Sequence, residues 1–306
     1  PDRSYELPAH TRRIAVIGDS MTVAVATDEE RTFVRLLEDR LNQRGGETRW
    51  EVLNFGGSSA STGQELVVYR EVAARYRPQT VVCAFYVGND LADNSARLTR
   101  AARLYFDLDA EGRPRLASRG PGASPVADWL DQHSRFYVWQ KIRVAALRAR
   151  GRAGRGVLDP GYRAFEADAN ADLAHAWLIT EKLLVAFRDE ARARGAVLVL
   201  AIIPCAEQVA DDVWQELLDR APQLALDREL PERRLTALAE RAGIPVIPMA
   251  AAFRRATRDA AAQGRDPDLF LNHRHHLNDE GHRVAADLLW RGLVRLGIDA
   301  DARPVR

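Results

Sequence analysis

Short apolar runs recur along the 306-residue chain, and stretches with apolar residues three or four positions apart lie between them. Short continuous runs rich in β-branched residues are typical of strands that are buried on both faces of a parallel sheet. The sequence therefore predicts five buried strands. They lie near residues 13–17, 50–54, 80–86, 196–203 and 244–248.

The stretches between and after these runs predict amphipathic helices. The first, RTFVRLLEDRLNQRGG, has helical apolar spacing and ends in glycines, which favour a helix stop. Strands that alternate with helices indicate an α/β fold, here a three-layer, flavodoxin-like, doubly wound parallel sheet of five strands. The predicted helices are 30–43, 64–76, 167–194, 250–262 and 279–296.

The pattern changes between the third and fourth strands. We interpret residues 91–165 as an insertion that covers one side of the sheet within a single domain of residues 1–306. A hairpin is favoured where Glu111-Gly112 separates two short apolar segments. In order, the insertion would contain that hairpin (103–117), a Gly/Pro/Ser loop (118–125), an aromatic-rich helix (126–150) and a basic loop (149–161).

Composition adds little to this picture but excludes some classes. The chain is 46% hydrophobic and 28% charged, as in an ordinary globular protein, and 44 basic residues nearly balance 43 acidic ones. This balance gives no reason to expect a nucleic-acid partner. Cys83 and Cys205 form no CxxC motif, so we expect buried free thiols.

No apolar run approaches the ~18 residues of a membrane-spanning helix, and no signal peptide is recognisable. The chain starts at Pro1. We therefore interpret it as extracytoplasmic if a signal peptide or membrane anchor precedes Pro1, and as cytoplasmic otherwise.

Candidate chemistry follows the predicted strands. In an open α/β sheet, ligands bind at the carboxyl ends of the strands where the winding reverses. The segments there supply a hydroxyl group, a glycine-rich backbone and a carboxamide, and an imidazole precedes the last helix. They are Gly18-Asp19-Ser20 after the first strand, Asn54-Phe55-Gly56-Gly57-Ser58-Ser59 after the second, Gly88-Asn89-Asp90 after the third, and His276 in HLNDEGH.

These groups are the parts of acyl transfer by a serine nucleophile. A serine hydroxyl needs an adjacent base, most often His, and the tetrahedral oxyanion needs donors fixed in advance. The motif around Ser20 is not G-x-S-x-G, which disfavours the α/β-hydrolase fold. Simpler structural roles stay open: a helix cap for Ser20, a turn for Asn89, and a first-turn position for His276. For Asp19 we favour a structural hydrogen-bonding role over a catalytic one.

Four motifs, GDSMT, NFGG, VGND and HLNDEGH, occur in this order. In that order and at these spacings the chain resembles the SGNH (GDSL-type) hydrolase superfamily over about residues 12–90 and 196–296. The resemblance implies that Ser20 is the nucleophile and His276 the base, and that no cofactor is needed. It also implies an oxyanion hole formed by the Ser20 N–H, an N–H of the glycine block and the Asn89 side chain.

The glycine block departs from the family pattern. The family has N-x-G-x-x-G, and its last glycine supplies an oxyanion N–H, whereas this chain has Ser59 at that position. A backbone donor survives a Gly-to-Ser change if φ is negative. Either Ser59 or Gly57 is therefore a candidate donor.

The segment before His276 departs further. The family has an Asp two or three residues before the catalytic His, where this chain has Arg274 and His273. That Asp normally orients the imidazole. Its role would pass to a backbone carbonyl, to Asn272 or to Asp268, and we favour a Ser–His dyad.

The histidines near the last helix raise the question of zinc. Catalytic zinc sites have tighter spacing, such as HExxH, and the adjacent His275 and His276 do not easily face one ion. We therefore expect no metal and assign His282 to packing.

The resulting hypothesis is a serine ester hydrolase that cleaves an acyl or acetyl ester through an acyl-serine intermediate. Its substrate would be a small-molecule, lipid or glycan ester. An acyltransferase with the same residues, or a glycan-binding module without catalysis, is the alternative.

Overall fold

The computed structural model describes residues 3–43, 47–99, 103–119, 159–271 and 276–298. Within these residues a five-stranded sheet has the strand order β2-β1-β3-β6-β7, with every neighbouring pair parallel. The predicted parallel sheet is confirmed. Its strands are β1 (Thr11–Gly18), β2 (Arg49–Gly56), β3 (Thr80–Tyr86), β6 (Val197–Ile203) and β7 (Val246–Pro248), and β4 (Leu104–Leu108) and β5 (Pro114–Arg119) form a separate antiparallel hairpin.

The winding of the sheet reverses at β1. This strand pairs with β2 on one side and with β3 on the other, so Gly18 lies between Gly56 and Ala84 at the carboxyl edge. The segments that carry the candidate chemistry after β1, β2 and β3 therefore leave the sheet side by side.

Helices cover both faces of the sheet, and each of the five helices predicted between and after the strands has a counterpart in the structure. The predicted helix 64–76 is interrupted, since its α-helical part ends at Glu71 and a short 3₁₀ helix follows at Ala73–Tyr76. The α-helices are α1 (Ser20–Val23), α2 (Phe33–Gln43), α3 (Thr62–Glu71), α4 (Asp90–Asp93), α5 (Ala171–Ala193), α6 (Ala206–Val209), α7 (Asp211–Arg220), α8 (Leu230–Arg241), α9 (Ala250–Ala262) and α10 (Asp279–Arg295).

Helices α7 and α8 were not among the predicted elements. Both are rich in charged residues, and α7 buries only Val213 and Leu217. The apolar residues of both helices nevertheless recur at helical spacing, at Val213 and Leu217 of α7 and at Leu235 and Leu238 of α8, and this was the available signal.

The hydrophobic core lies on both faces of the central strands. Residues Ile14–Ile17 of β1 are fully buried. On one face α3 packs against α5, where the Tyr69 and Phe187 rings lie 5.4 Å apart, and elsewhere α2 packs against α10. Cys83 and Cys205 are buried free thiols, as predicted.

The insertion is described only in part. The predicted hairpin is confirmed as β4 and β5, whereas the aromatic-rich helix at 126–150 and most of the two flanking loops lie outside the described residues. Leu91 and Phe165, near the ends of the predicted insertion, both lie in the core. The assignment of the chain to one domain stays a prediction. No helix in the described parts of the chain is both long and apolar enough to cross a bilayer.

Two glycines at the sheet edge allow α1 to lie against the strands. A Cβ at Gly56 would lie 2.4 Å from the Val23 nitrogen and 2.8 Å from the Thr22 carbonyl carbon, and one at Gly18 would lie 2.2 Å from the Thr22 hydroxyl. The Gly56 contacts are with backbone, which cannot rotate away. A side chain there would push α1 off the sheet.

We therefore predict that Gly56→Ala lowers the free energy of unfolding by about 2 kcal/mol or more, because it overpacks the contact with α1. Chemical denaturation measures this change. Gly57→Ala is the matched control, since its Cβ would make an ordinary 3.4 Å contact with Ala60. Equal stability of the two variants would contradict the prediction.

Candidate active site

Ser20 occupies the first position of α1, directly after β1. Asp19 caps this helix: its carboxylate accepts a hydrogen bond from the Met21 N–H at 2.8 Å, and its carbonyl accepts from Thr22 and Val23. In the first turn of a helix the N–H groups have no intrahelical acceptor. The Ser20 N–H donates to no acceptor among the described residues, so it is available to a ligand.

His276 enters the site from the short segment before α10. Its carbonyl accepts a hydrogen bond from the Leu271 N–H at 2.7 Å, and Phe270 and Leu277 form an antiparallel bridge beside it. Asn278 caps α10 by accepting from the Gly281 N–H at 2.9 Å. These contacts fix the backbone on which the imidazole is carried.

The two groups meet at the carboxyl edge of the sheet. His276 Nε2 lies 3.1 Å from Ser20 Oγ, although 256 positions separate the two residues in sequence. This distance is within the range of a hydrogen bond between a nucleophile and its base. Both side chains are partly exposed, so a substrate can reach them.

Asn89 lies next to this pair through Asp19. The Asn89 Nδ2 group donates to Asp19 Oδ2 at 3.1 Å, and Asp19 thus has the structural role that the sequence favoured. An amide nitrogen carries two hydrogens. The second hydrogen of Asn89 is left for a ligand, while its Oδ1 is buried with no partner among the described residues.

The glycine block supplies one further N–H group. Gly57 donates its N–H to the Gly18 carbonyl at 2.9 Å and is therefore already engaged, whereas the Ser59 N–H makes no hydrogen bond with any described residue. Ser59 has a φ of 58°, so the condition of a negative φ at this position is not met. This left-handed conformation costs a non-glycine residue about 1 kcal/mol, but it leaves the N–H free to donate. The geometry thus favours Ser59 over Gly57.

Comparison with solved structures identifies the fold. A lipase/acylhydrolase from Enterococcus faecalis matches with a TM-score of 0.50 and 14% sequence identity, over 96% of this chain and 99% of that chain. The fold is that of the SGNH hydrolases. No family model matches the chain, and no curated protein matches it in sequence.

Two other solved structures give weaker matches to this SGNH fold. An acetyl-xylooligosaccharide esterase from Geobacillus has a TM-score of 0.47 and 14% identity, over 96% of both chains. A GDSL-like lipase from Bacteroides thetaiotaomicron has a TM-score of 0.44 and 13% identity, over 93% of this chain and 89% of that chain. At such identities the likeness concerns the fold, and the site must be argued from this chain's own residues.

Asn54 has a supporting role in this candidate site that sequence reasoning missed. Its Nδ2 donates to the Thr22 carbonyl at 2.8 Å, and its Oδ1 accepts from the Gly56 N–H at 2.9 Å. It therefore joins the last turn of α1 to the end of β2. The position of Asn54 at the start of the NFGG motif was the available signal.

The candidate third member, Asp268, is positioned by the same bridge that holds His276. The Asn278 side chain, two positions after His276, donates a hydrogen bond to the Asp268 carbonyl at 2.9 Å. The Asp268 Oδ1 accepts from the Phe270 N–H at 3.0 Å. Asn272, the other side-chain candidate, lies outside the described residues.

Three buried carboxyl groups, those of Asp19, Glu65 and Asp90, lie near Ser20, and sequence reasoning noted a role for only Asp19. Burial raises the pKa of Asp19 to about 6, although hydrogen bonds from Met21 and Asn89 lower it in part. Burial, followed by repulsion from the neighbouring carboxylates, raises the pKa values of Glu65 and Asp90 well above their usual range. Asp90 accepts from the Tyr86 N–H at 2.8 Å, and the Cys83 thiol donates to Glu65 at 3.4 Å. The cluster therefore carries less than three full negative charges at neutral pH.

His282 packs in the core, as predicted. Its ring stacks on Phe33 with the centroids 5.8 Å apart, and its Nδ1 accepts from the Phe33 N–H at 3.3 Å. Burial, above all, lowers the pKa of His282 to about 4. Within the described residues no group of three His, Cys, Asp or Glu side chains forms a metal site, and His273 and His275 lie outside them.

The lowered pKa of His282 predicts a pH-dependent contribution to stability. In the unfolded chain this histidine binds a proton below about pH 6.5, whereas in the folded protein it binds one only below about pH 4. The free energy of unfolding therefore falls as the pH is lowered through this window. His282→Asn, which keeps an acceptor near the Phe33 N–H, should remove up to about 3 kcal/mol of that loss.

Denaturant unfolding at several pH values between 4 and 7 measures the effect. The exposed His10→Asn is the matched control. The raised pKa of Asp19 acts with the opposite sign in the same window, but it is common to all the variants and cancels in the comparison. If the stability of His282→Asn depended on pH as that of the wild type does, the lowered pKa of His282 would be contradicted.

Proposed function

We propose that this protein is an ester hydrolase that acts through an acyl-serine intermediate. The observation that carries the proposal is the 3.1 Å contact between Ser20 Oγ and His276 Nε2, at the sheet edge where α/β proteins bind ligands. The SGNH fold, shared with a lipase/acylhydrolase, supports the same conclusion. A binding module would have no need for an imidazole placed against a serine hydroxyl.

The first half of the proposed reaction forms the acyl-enzyme. Ser20 Oγ attacks the carbonyl carbon of the ester as His276 Nε2 takes the hydroxyl proton, which gives a tetrahedral intermediate and an imidazolium. The intermediate then collapses: the C–O bond to the alcohol breaks, and His276 returns the proton to the departing oxygen. The acyl group stays on Ser20.

The second half releases the acid. His276 takes a proton from a water molecule, the resulting hydroxide attacks the acyl carbon, and the bond to Ser20 Oγ breaks as the proton returns to that oxygen. The products are a carboxylic acid and free Ser20. An alcohol in place of water would make the same residues an acyltransferase.

Negative charge on the tetrahedral oxygen would be stabilised by three donors: the Ser20 N–H, the Ser59 N–H and the second amide hydrogen of Asn89. Donors that are fixed before reaction stabilise the transition state without reorganisation, and each is worth about 3 kcal/mol in comparable sites. Asp19 keeps the Asn89 amide nitrogen, rather than its oxygen, on the side of the nucleophile. This is the physical role that we assign to Asp19.

The proposed substrate is a small-molecule, lipid or glycan acyl ester. Two matched structures are described as a lipase/acylhydrolase and an acetyl-xylooligosaccharide esterase. Ser20 and His276 are both partly exposed, which suits an ester group presented at the surface of a larger molecule.

Ser20→Ala should lower the rate of hydrolysis of an activated acetyl ester, such as p-nitrophenyl acetate, by at least roughly 10³-fold, because it removes the nucleophile. Intact-protein mass spectrometry should detect an acetyl adduct on the wild type and none on the variant. The exposed Ser58→Ala is the matched control and should retain full activity. Hydrolysis by Ser20→Ala at the wild-type rate would contradict the proposal.

A second prediction concerns the acid that is missing before His276. Loss of an orienting acid in a Ser–His–Asp triad lowers kcat by about 10⁴-fold. Because a Ser–His dyad has no orienting carboxylate to lose, we expect Asp268→Asn to change kcat less than about tenfold. Asp266→Asn, in the same turn, is the control. A loss of kcat by several orders of magnitude in Asp268→Asn, but not in Asp266→Asn, would show that Asp268 acts as the acid of a triad and would contradict the dyad.

A further inference from the structure

A cavity lies at the edge of the sheet opposite to Ser20. It has a volume of about 530 Å³, and it is bounded by the residues that precede β3 and β6. The length of β3 separates this edge from the candidate active site, roughly 20 Å at 3.3 Å per residue. Any ligand here would be independent of ester hydrolysis. The side chains that matter are Tyr69, Arg70, Arg75, Arg77 and Arg194.

The charges around this cavity do not balance. Arg70 Nε donates to both carboxylate oxygens of Glu190, at 2.6 and 2.7 Å, and Arg194 Nη1 lies 3.6 Å from the same carboxylate. One carboxylate therefore faces two guanidinium groups. Arg75 and Arg77 form no ion pair within the described residues. Four positive charges thus border the cavity against one negative charge.

A buried hydroxyl group borders the same cavity without a partner. Tyr69 is fully buried, and its hydroxyl makes no hydrogen bond with any described residue, while the Arg194 guanidinium lies 5.6 Å from the ring centroid. Buried hydroxyl groups are normally hydrogen-bonded. Burial raises the pKa of Tyr69, so the group is a donor at neutral pH. An acceptor in the cavity would satisfy it.

The backbone at Arg77 is also unusual. Its φ of 54° is a left-handed conformation in which Gly or Asn is common and a long side chain is rare. The conformation ends the 3₁₀ helix Ala73–Tyr76, where glycine would be the least strained residue. Arg77 thus occupies a backbone conformation in which glycine would be favoured.

We propose that this cavity binds a phosphate or sulfate group, held by Arg75 and Arg77, with Arg70 and Arg194 beside them and the Tyr69 hydroxyl as a further donor. The planar guanidinium fork matches the spacing of two oxygens on such an anion, and charge-assisted bonds of this kind are the strongest in proteins. A tetrahedral oxyanion also has enough acceptors to serve several arginines and the phenol together. A neutral sugar or an apolar ligand would leave the positive charges unbalanced.

Two variants test the site. Arg75→Ala/Arg77→Gly removes both unpaired charges and keeps a residue that tolerates a φ of 54°, so folding is maintained. Tyr69→Phe removes only the hydroxyl group; without ligand it should be as stable as the wild type, since no described partner is lost. Arg255→Ala/Arg258→Ala, exposed on α9, makes the same change in charge elsewhere and is the matched control.

Isothermal titration with inorganic phosphate at constant ionic strength measures the binding. We expect the wild type and the Arg255/Arg258 control to bind alike, the Arg75/Arg77 variant at least tenfold more weakly, and Tyr69→Phe several-fold more weakly. Absence of phosphate binding in the wild type, or an equal loss in the control, would overturn the proposal.

A parallel flotation assay uses vesicles of phosphatidic acid in phosphatidylcholine. It distinguishes a phosphate on a lipid surface from a free or small-molecule phosphate. Vesicle binding that depends on Arg75 and Arg77 would assign the ligand to a lipid headgroup. Phosphate binding without vesicle binding would assign it to a soluble molecule.

Discussion

The site depends on the close contact between a four-residue helix and the ends of two strands. A single helical turn is not stable by itself, because nucleating a helix costs more than its few hydrogen bonds return. Helix α1 is held instead by the strands: the Asn54 side chain bonds to the Thr22 carbonyl, and Gly56 lets the backbone of Val23 approach. Removing that contact would release the turn that presents Ser20.

Asp19 connects this packing to the chemistry. Its carboxylate caps α1 and binds the Asn89 amide, so one buried group orients both the nucleophile's helix and a donor of the proposed oxyanion hole. Burial makes the ionised form of Asp19 costly, and the hydrogen bonds from Met21 and Asn89 offset part of that cost. The ionised carboxylate of Asp19 therefore has an electrostatic cost that a neutral residue at this position would avoid.

Much of this arrangement could be predicted from the sequence, and the part that could not is tertiary in origin. The strands follow from apolar runs, and the pairing of Ser20 with His276 follows from motifs that family resemblance makes recognisable. The left-handed φ of Ser59 and the engagement of the Gly57 N–H depend on how the turn meets Gly18, which no local pattern encodes. Helices α7 and α8 have apolar residues at helical spacing and could have been predicted, whereas nothing in the pattern around Glu65 marks it as buried.

The same cluster bears on the acid missing before His276. In the proposed reaction the imidazole becomes positively charged, and a triad acid normally stabilises that charge. Asp19 adjoins Ser20 in the chain and is ionised above a pKa of about 6, so it places negative charge beside the proposed nucleophile. In a site only partly open to water, such a charge acts over several ångströms. Asp19 therefore has two roles at the start of α1: it caps the helix that carries Ser20, and it holds the Asn89 amide beside it.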